Sequence, residues 1–211
     1  MAEFLPTSNR PTTHGSRRSG SFAADLADLE SWIEETPRTA TVKGMYMDSF
    51  LSIVERCGAP RPTDKRFFTF KDYPLRDCMR MTLDSVCIIY PDISPREGLI
   101  RIGRHVYPTL SNTTIGKVLF SVAGRSWERT LNLCRKAWEV SITPGSASLI
   151  DLTERSAKVE LRSIWNFTDT YQVGVMEGAM ESFGVRGTVR PITQGRRCDV
   201  DLLLEWEPIS Q

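Results

Sequence analysis

The sequence predicts an α+β fold, in which a helical N-terminal half packs on an antiparallel sheet that carries one late helix. From Phe22 to Trp138 the apolar residues recur at helical spacing, and from Trp138 onward they alternate as they do in strands. Turn residues separate the alternating segments, and one helical segment lies among them. Because strands and helices do not alternate along the chain, a doubly wound parallel sheet is disfavoured. We expect a sheet of about four to five strands.

The composition and charge are those of an ordinary globular protein. Of the 211 residues, 40% are hydrophobic and 25% are charged, which is enough to build one full core. The formal net charge of +1 gives no overall field that would favour nucleic acid or an acidic membrane. No apolar run is long enough to span a membrane, and the N-terminus lacks the hydrophobic segment of a signal peptide.

The N-terminal residues 1–21 are expected to form a disordered basic tail. They are rich in Pro, Ser, Thr and Gly, and three arginines against one glutamate give them a net charge of +2. A solvated tail without a role in the fold is the favoured interpretation, and binding to an acidic partner or phosphorylation near Ser19 is the alternative. Residues 22–211 then form one α+β domain, with a helical part at 22–137 and a sheet part at 138–211.

The cysteine pattern indicates a reducing environment. The five cysteines are odd in number, show no close pairing and form neither a disulfide framework nor a zinc-binding pattern. Several lie on apolar faces of predicted helices, as buried thiols do. We therefore expect a cytoplasmic protein with free thiols at Cys57, Cys78, Cys87, Cys134 and Cys198.

Helical spacing accounts for most of the N-terminal half. The clearest start signal is the segment Ser94–Glu97, which combines an N-cap Ser, a Pro at the first helical position and a Glu at the capping-box position. The Phe67–Phe70 loop is predicted to seal the core rather than to bind a partner. The inward rows of the predicted helices run from Phe22 to Ile33, Tyr46 to Cys57, Leu75 to Tyr90, Leu99 to Tyr107, Ile115 to Val122 and Trp127 to Trp138.

The sheet part is predicted to begin with a hairpin. Trp138, Val140 and Ile142 alternate, Pro144-Gly145 supplies the turn, and Ala147 and Leu149 alternate on the return strand. Further strands are predicted around Val159–Leu161, Val189–Ile192 and Val200–Trp206. On the last of these, Asp199 and Asp201 alternate with apolar residues, which suits a solvated sheet face better than acid–base chemistry.

The late helix, predicted at 169–183, is the best-formed helical signal of the chain. Asp169 and Gln172 have capping-box spacing, and Gly184 stands where a helix ends in a left-handed residue. Its apolar face carries Met176, Ala179, Met180 and Phe183. Gly174 and Gly178 leave a flat groove on another side, where close packing on a neighbouring element is favoured over a ligand-binding surface.

Motifs that would identify a reaction are missing from the sequence. There is no Walker loop, HExxH, CxxC or GxSxG, and the only histidines are His14 and His105. His105 stands among Arg101 and Arg104, where an exposed helix residue is favoured over a catalytic base and an anion pocket is a further alternative. Two histidines so placed do not make a zinc site, so we expect no metal and no cofactor.

Several stretches together resemble an uncharacterised paralogous family of myxobacterial proteins. The similarity covers roughly Val42–Trp206 and assigns no chemistry. The stretches are KGMYMDSFLS (43–52), YPLRDCMRM (73–81), GLIRIGRHVYPTLSNTTIGKVLFSVAG (98–124) and YQVGVMEGAMESFGVRGTVR (171–190).

More distantly, the late helix of the form YxxGxxEGxxxxxG after a helical half is similar to a superfamily of 4-vinyl-reductase-type binding domains, haem–nitric-oxide domains and TRAPP subunits. That resemblance implies an α+β fold that holds an apolar ligand or acyl chain between helices and sheet, often as a dimer or a signalling input. The Tyr-x-Ser-x-Arg motif of the haem branch is absent, and only Cys198 is available for the terminal cysteines of the vinyl-reductase branch. Haem and metal are therefore both disfavoured.

These observations predict a non-enzymatic regulatory domain that binds a small apolar or aromatic molecule or a partner protein. The pocket is expected between the late helix, the Leu99–Tyr107 helix and the sheet. Its predicted ligand-binding residues are Tyr171, Gly174, Met176, Gly178, His105 and Tyr107. Two alternatives remain open, an enzyme of unrecognised class and a dimeric adaptor that binds a partner helix or a second copy of itself.

Overall fold

The computed structural model describes residues 15–121, 124 and 126–207, and within these ranges the chain combines helices with two antiparallel sheets, which confirms the α+β class. None of the helices described there is both long and apolar enough to cross a lipid bilayer. The helices are α1 (Gly15–Glu35), α2 (Gly44–Arg56), α3 (Leu75–Ile89), α4 (Pro95–Arg104), α5 (Val106–Asn112), α6 (Thr114–Ser121), α7 (Trp127–Ser141) and α8 (Tyr171–Ser182). The strands are β1 (Thr41–Lys43), β2 (Asp72–Pro74), β3 (Ile142–Thr143), β4 (Ser146–Ile150), β5 (Ser156–Arg162), β6 (Gly187–Gln194) and β7 (Arg196–Trp206).

The larger sheet has the strand order β4-β5-β7-β6, and every neighbouring pair is antiparallel. Helix α7 packs against β4 and helix α8 against β6, so one face of the sheet closes the core. The central strands β5 and β7 direct alternate apolar side chains to that face, as their period of two requires. These buried residues are Val159, Leu161, Val200, Leu202 and Leu204.

The predicted first hairpin of the sheet part is wrong. Helix α7 continues through Trp138 to its end at Ser141, and only Ile142–Thr143 remains as β3. This short strand pairs with β1 rather than β4, and β2 completes a small sheet of order β2-β1-β3. Trp138 is the last member of the helical apolar row on α7, and its indole Nε1 donates to Gln172 Oε1 at 2.8 Å inside the core. Val140, which the alternation placed beside it, is exposed.

Two of the predicted helix-end signals are confirmed. Ser94 Oγ accepts a hydrogen bond from the Glu97 backbone N–H at 3.2 Å, so Ser94 is the N-cap of α4 and Pro95 its first residue. Gly184 follows the end of α8 with φ of 67°, in the left-handed region that glycine tolerates best.

The predicted capping box at the start of α8 is wrong. Thr170 is the N-cap residue and makes no capping bond through its side chain. Asp169 instead accepts a hydrogen bond from Arg96 Nη1 at 2.8 Å, and Gln172 turns into the core. The Asp169 carboxylate therefore forms a long-range ion pair with Arg96 instead of capping α8.

The two aspartates of β7 are buried, which corrects the prediction of a solvated face. Asp199 Oδ1 accepts from the Ser163 backbone N–H and its Oδ2 from Arg196 Nε, each at 2.7 Å. Asp201 Oδ1 accepts from Arg162 Nη2, also at 2.7 Å. Long side chains from the sheet cover these carboxylates, although they lie on the face opposite the helical layer.

The Phe67–Phe70 loop seals the core through one of its phenylalanines. Phe67 packs edge-on against Tyr73, with ring centroids 5.0 Å apart. Phe68 and Phe70 are exposed, which contradicts the prediction for this pair. Phe68 and Phe70 belong to a turn that is closed by a hydrogen bond from the Lys71 N–H to the Phe68 carbonyl at 3.1 Å.

Helix α1 begins at Gly15, so the predicted boundary at residue 21 falls inside it, and residues 1–14 lie outside the described part of the chain. The helix docks through buried apolar residues and through ion pairs of its acidic side chains, of which Asp28 makes the most central. Asp28 accepts hydrogen bonds from both Arg96 and Arg197, and the guanidinium of Arg197 also lies 5.6 Å from the ring centre of Trp32. Ion pairs therefore join α1 to α4 and β7.

Candidate functional site

Helices α4 and α8 cross with their backbones in direct contact, because both carry glycine at the crossing. A Cβ atom added at Gly174 would lie under 3.0 Å from the Ile100 carbonyl oxygen, and one added at Gly178 under 3.0 Å from that of Arg104. Gly103 of α4 approaches the Tyr171 carbonyl in the same way. Helix α4 packs on the α8 face that was a candidate ligand groove. This face is therefore a close helix–helix contact.

Ion pairs flank this crossing on the solvent side. Arg104 Nε lies 2.9 Å from Glu177 Oε2 and 4.0 Å from Glu181 Oε1. Arg101 pairs with Glu97 of its own helix at 2.9 Å. These contacts are partly exposed, so they contribute little to stability and serve to fix the register of the two helices.

An open groove of about 540 Å³ runs along the outside of the crossing. Polar and charged side chains make up most of its wall, and His105 is exposed within it. The Arg101 guanidinium lies 5.9 Å from the ring centre of Tyr90 on the opposite side. The groove residues are Tyr90, Arg101, Arg104, His105, Pro108, Gly178, Glu181 and Ser182. Arg101 and Arg104, which the sequence offered for an anion pocket, both line this groove, but each already pairs with a glutamate.

A second space lies inside the protein, where α2, α3, α5, α7 and α8 meet. We call it the inner cavity, and its volume is about 40 Å³. Its walls are mainly apolar and aromatic, with a few polar groups at one end. The lining residues are Val42, Tyr46, Phe50, Cys78, Val106, Trp138, Asn166, Tyr171, Gln172 and Val175.

An adjacent cavity of about 50 Å³ lies on the other side of four shared residues, Tyr46, Val106, Trp138 and Val175. Cys134 and Tyr107 are among the residues that complete its wall. The four shared residues therefore contribute to the walls of both spaces.

The polar end of the inner cavity contains one unpaired acceptor. Gln172 is satisfied, because its Oε1 accepts from Trp138 Nε1 and its Nε2 donates to the Asn166 carbonyl at 3.3 Å. The side-chain Oδ1 of Asn166 is buried and has no partner among the described residues. Buried polar atoms are rarely left unpaired, so this end is suited to a bound molecule.

The ionisable groups that line the cavity are held in their neutral forms. Burial raises the pKa of Tyr46 to about 12, against the opposing effect of a hydrogen bond with Ser141. Burial also raises the pKa of the Cys78 thiol to about 12, and it raises the pKa of Tyr171 as well. The cavity therefore presents hydroxyl, thiol and amide groups without net charge at neutral pH.

The structure does not bring the six predicted ligand-binding residues together. Tyr171 lines the inner cavity, Tyr107 lines the adjacent one, and His105 and Gly178 line the open groove. Gly174 contacts the α4 backbone, and Met176 is fully buried in the core. Within the described ranges, no three side chains of His, Cys, Asp or Glu cluster as metal ligands.

Sequence reasoning missed the residues that give the inner cavity its character. Asn166 lies in the segment WNF directly after β5, and an amide between two aromatic residues was the available signal. The spacing placed Tyr46 on the inner face of its helix, and Cys78 was expected only as a free thiol; neither observation says anything about a space between the helices. Both residues line the inner cavity.

The fold is similar to that of H-NOX proteins of known structure. A single-substitution variant of Tt H-NOX aligns with a TM-score of 0.59 at 15% identity, covering 80% of this chain and 97% of that one. An S. oneidensis H-NOX variant in the Fe(II) ligation state aligns at 0.55 and 14%, covering 80% and 97%. A K. algicida Fe(II) unliganded H-NOX protein aligns at 0.52 and 13%, covering 80% and 98%. These likenesses establish the fold, and the haem–nitric-oxide resemblance is borne out at that level.

The remaining comparisons concern the family. No protein with a curated description matches the chain. The myxobacterial origin stays a prediction. The family model described as "Protein of unknown function (DUF2378)" matches residues 37–207, which is most of the chain and includes every residue of the inner cavity. The chain therefore belongs to the DUF2378 family and has an H-NOX-like fold.

Proposed function

We propose that this chain is a non-enzymatic sensory domain whose inner cavity binds a small neutral molecule. The observation that carries the proposal is the unpaired Asn166 Oδ1 in a buried, otherwise apolar space. A buried acceptor without a partner costs about 1–3 kcal/mol. A ligand that donates one hydrogen bond to this oxygen recovers that cost and gains apolar contacts along the walls.

The lining indicates the chemical class of the ligand. Its apolar and aromatic walls favour an apolar body, and its neutral hydroxyl and thiol groups offer nothing to compensate an ionic one. The single unpaired acceptor favours one hydrogen-bond donor. The inner and adjacent cavities together have a smaller volume than the roughly 150 Å³ cavity that holds a benzene ring. An aromatic ligand must therefore also displace a side chain that lines both cavities, Val175 or Tyr46. We therefore place the ligand among small alcohols and phenols.

Binding is favoured over catalysis by what lines the inner cavity. The described residues that line it include no imidazole and no carboxylate, so they supply no general base. Cys78 is kept as a thiol by burial, and a thiol without a raised thiolate fraction is a poor nucleophile. The enzyme alternative would thus have to use the open groove, where the arginines are paired with glutamates.

A sensor also needs a route from its ligand to the rest of the protein, and α8 supplies one. Tyr171 and Val175 line the inner cavity, while Gly174 between them contacts the α4 backbone. No side chain lies between the two backbones at that point, so a displacement of α8 moves α4 as well. Helix α4 carries Arg96, whose ion pairs reach α1.

Some of the similar H-NOX structures are described as Fe(II) states, and another concerns haem distortion in that family. We therefore asked whether the residues of this chain could hold haem. The described residues do not fit it. Enclosed ligand pockets usually measure about 300–1,000 Å³, and the two cavities here measure about 40 and 50 Å³. His105, the one histidine within the described ranges, lies on the open groove and lines neither cavity.

The test is a thermal-shift comparison of phenol with toluene, which differ by the hydrogen-bond donor. We expect phenol to stabilise the protein and toluene to bind about fivefold more weakly, as one net hydrogen bond implies. Val175→Leu fills the inner cavity and is expected to abolish the phenol shift. Val140→Leu makes the same chemical change on exposed α7 surface and is expected to leave the shift intact. Equal shifts in these two variants would reject the cavity as the binding site.

A second variant tests the hydrogen bond itself. Asn166→Leu removes the unpaired oxygen, so the preference for phenol over toluene should disappear while both still bind. A preference that persists in this variant would contradict the role of Asn166. The homodimer, the protein partner and the cytoplasmic location that the sequence suggested stay predictions, and light scattering after gel filtration tests the first of them.

A further inference from the structure

The loop that joins α2 to β2 exposes two aromatic side chains that the inner cavity does not explain. We call residues 64–71 the aromatic loop. Phe68 is 70% exposed and Phe70 is 74% exposed, although phenylalanine is among the residues most often buried. Neither side chain lines the open groove or either cavity.

The exposure is built into the loop by fixed contacts on its other side. The Phe68 backbone N–H donates to Tyr73 Oη at 3.0 Å, and the Thr69 carbonyl accepts from the Met45 N–H at 3.1 Å. Phe67 stacks edge-on against Tyr73 and packs on the core. Because these contacts hold the backbone of the loop on the protein, the rings of Phe68 and Phe70 stay on its exposed side.

Basic side chains flank the two exposed rings on both sides. Lys65, Arg66 and Lys71 against Asp64 give the aromatic loop a net charge of +2. All three basic residues are exposed, and none forms an ion pair with a described residue. Lys71 Nζ lies 5.6 Å from the centre of the Tyr73 ring, which keeps its charge next to the loop.

We propose that the aromatic loop docks on an anionic lipid bilayer. Phe68 and Phe70 would enter the interface between head groups and acyl chains, and Lys65, Arg66 and Lys71 would contact the lipid phosphates and carboxylates. Exposed aromatic residues bracketed by basic ones have the composition of interfacial membrane anchors. A protein groove would bury the rings equally well, but it gives no reason for unpaired cations on both sides of them. This inference does not depend on ligand binding in the inner cavity.

Co-sedimentation of the full chain with lipid vesicles tests the proposal. One set contains phosphatidylcholine alone, and the other contains about one-third phosphatidylserine. We expect salt-sensitive binding to the second set only, because each basic residue near an anionic surface strengthens binding about fivefold. Replacing Lys65, Arg66 and Lys71 together by Gln should weaken binding about a hundredfold. Phe68→Ser with Phe70→Ser should weaken it at least tenfold.

The matched control replaces exposed apolar residues elsewhere. Ile88→Ser with Val140→Ser removes side chains of similar exposure from α3 and α7, and binding should be unchanged. Phe68→Trp with Phe70→Trp should retain binding, because tryptophan is the preferred interfacial residue. Equal binding of the wild type and the double serine variant would overturn the proposal. So would a failure of the wild type to bind phosphatidylserine vesicles at low salt, which would leave a protein as the partner of this loop.

Discussion

Gly174→Ala is the substitution that probes the α4–α8 crossing most sharply. In a free helix it would stabilise by about 1 kcal/mol, because alanine is the better helix former. Here the new methyl group would meet the Ile100 carbonyl oxygen and the Arg104 backbone nitrogen, and backbone atoms cannot rotate away as side chains do. Overpacking costs about 1–3 kcal/mol, and contact with backbone atoms puts this substitution at the upper end of that range, from which about 1 kcal/mol of helix propensity is subtracted. We therefore expect a net loss of about 2 kcal/mol.

Thermal and urea unfolding followed by circular dichroism measure this loss. In a domain of this size, about 2 kcal/mol lowers the midpoint by roughly 4–8 °C. The matched control is Gly98→Ala on α4, where the added methyl would meet side chains only, the Val86 Cγ1 most closely and Tyr90 at ordinary contact distance. We expect a smaller loss there. A Gly174→Ala variant at least as stable as the wild type would show that α4 and α8 do not pack backbone to backbone.

Three further predictions concern the tail, a buried carboxylate and cofactors. Deletion of residues 1–14, the part of the predicted tail that precedes α1, should leave the unfolding midpoint unchanged. A large decrease of the midpoint would show that these residues pack on the domain. Burial would raise the pKa of Asp199, but hydrogen bonds from the Ser163 amide and Arg196 outweigh it and hold that pKa below its usual value. The resulting stability is present above the unfolded pKa of about 4 and is lost as pH falls through the lower folded pKa, so Asp199→Asn should flatten the pH dependence of unfolding in that range. The purified protein should show no Soret band and no stoichiometric zinc, and either signal would reject our assessment of the site.

The local signals of the sequence succeeded where one segment determines its own structure. Ser94 and Pro95 start α4, and Gly184 ends α8, because capping and left-handed backbone depend on a few neighbouring residues. The spacing of Gly174 and Gly178 also indicated close packing. Two glycines on the same side of a helix leave room for the backbone of a neighbouring helix, and α4 occupies that room. The four strands of the larger sheet were found from their alternation for the same reason.

Features that depend on distant partners could not be predicted. The segment around Trp138 fits a strand as well as a helix, and in the structure it belongs to α7, where Trp138 donates a hydrogen bond to Gln172 of α8. Asp169 was assigned to a helix cap, but Arg96 binds it from α4. The inner cavity is formed by five helices whose relative positions no local pattern encodes, so the aromatic neighbours of Asn166 in the sequence could not place it at a cavity.

The central claim, that the inner cavity takes a small neutral molecule, is tested most directly by methyl nuclear magnetic resonance during a titration with phenol. Val106 and Val175 line both cavities, whereas Val118 and Val140 are exposed on α6 and α7. The account predicts saturable shifts of the Val106 and Val175 methyl signals, little change at Val118 and Val140, and loss of the response in Val175→Leu. Shifts confined to the exposed valines, or no saturable shift at the cavity valines, would contradict it.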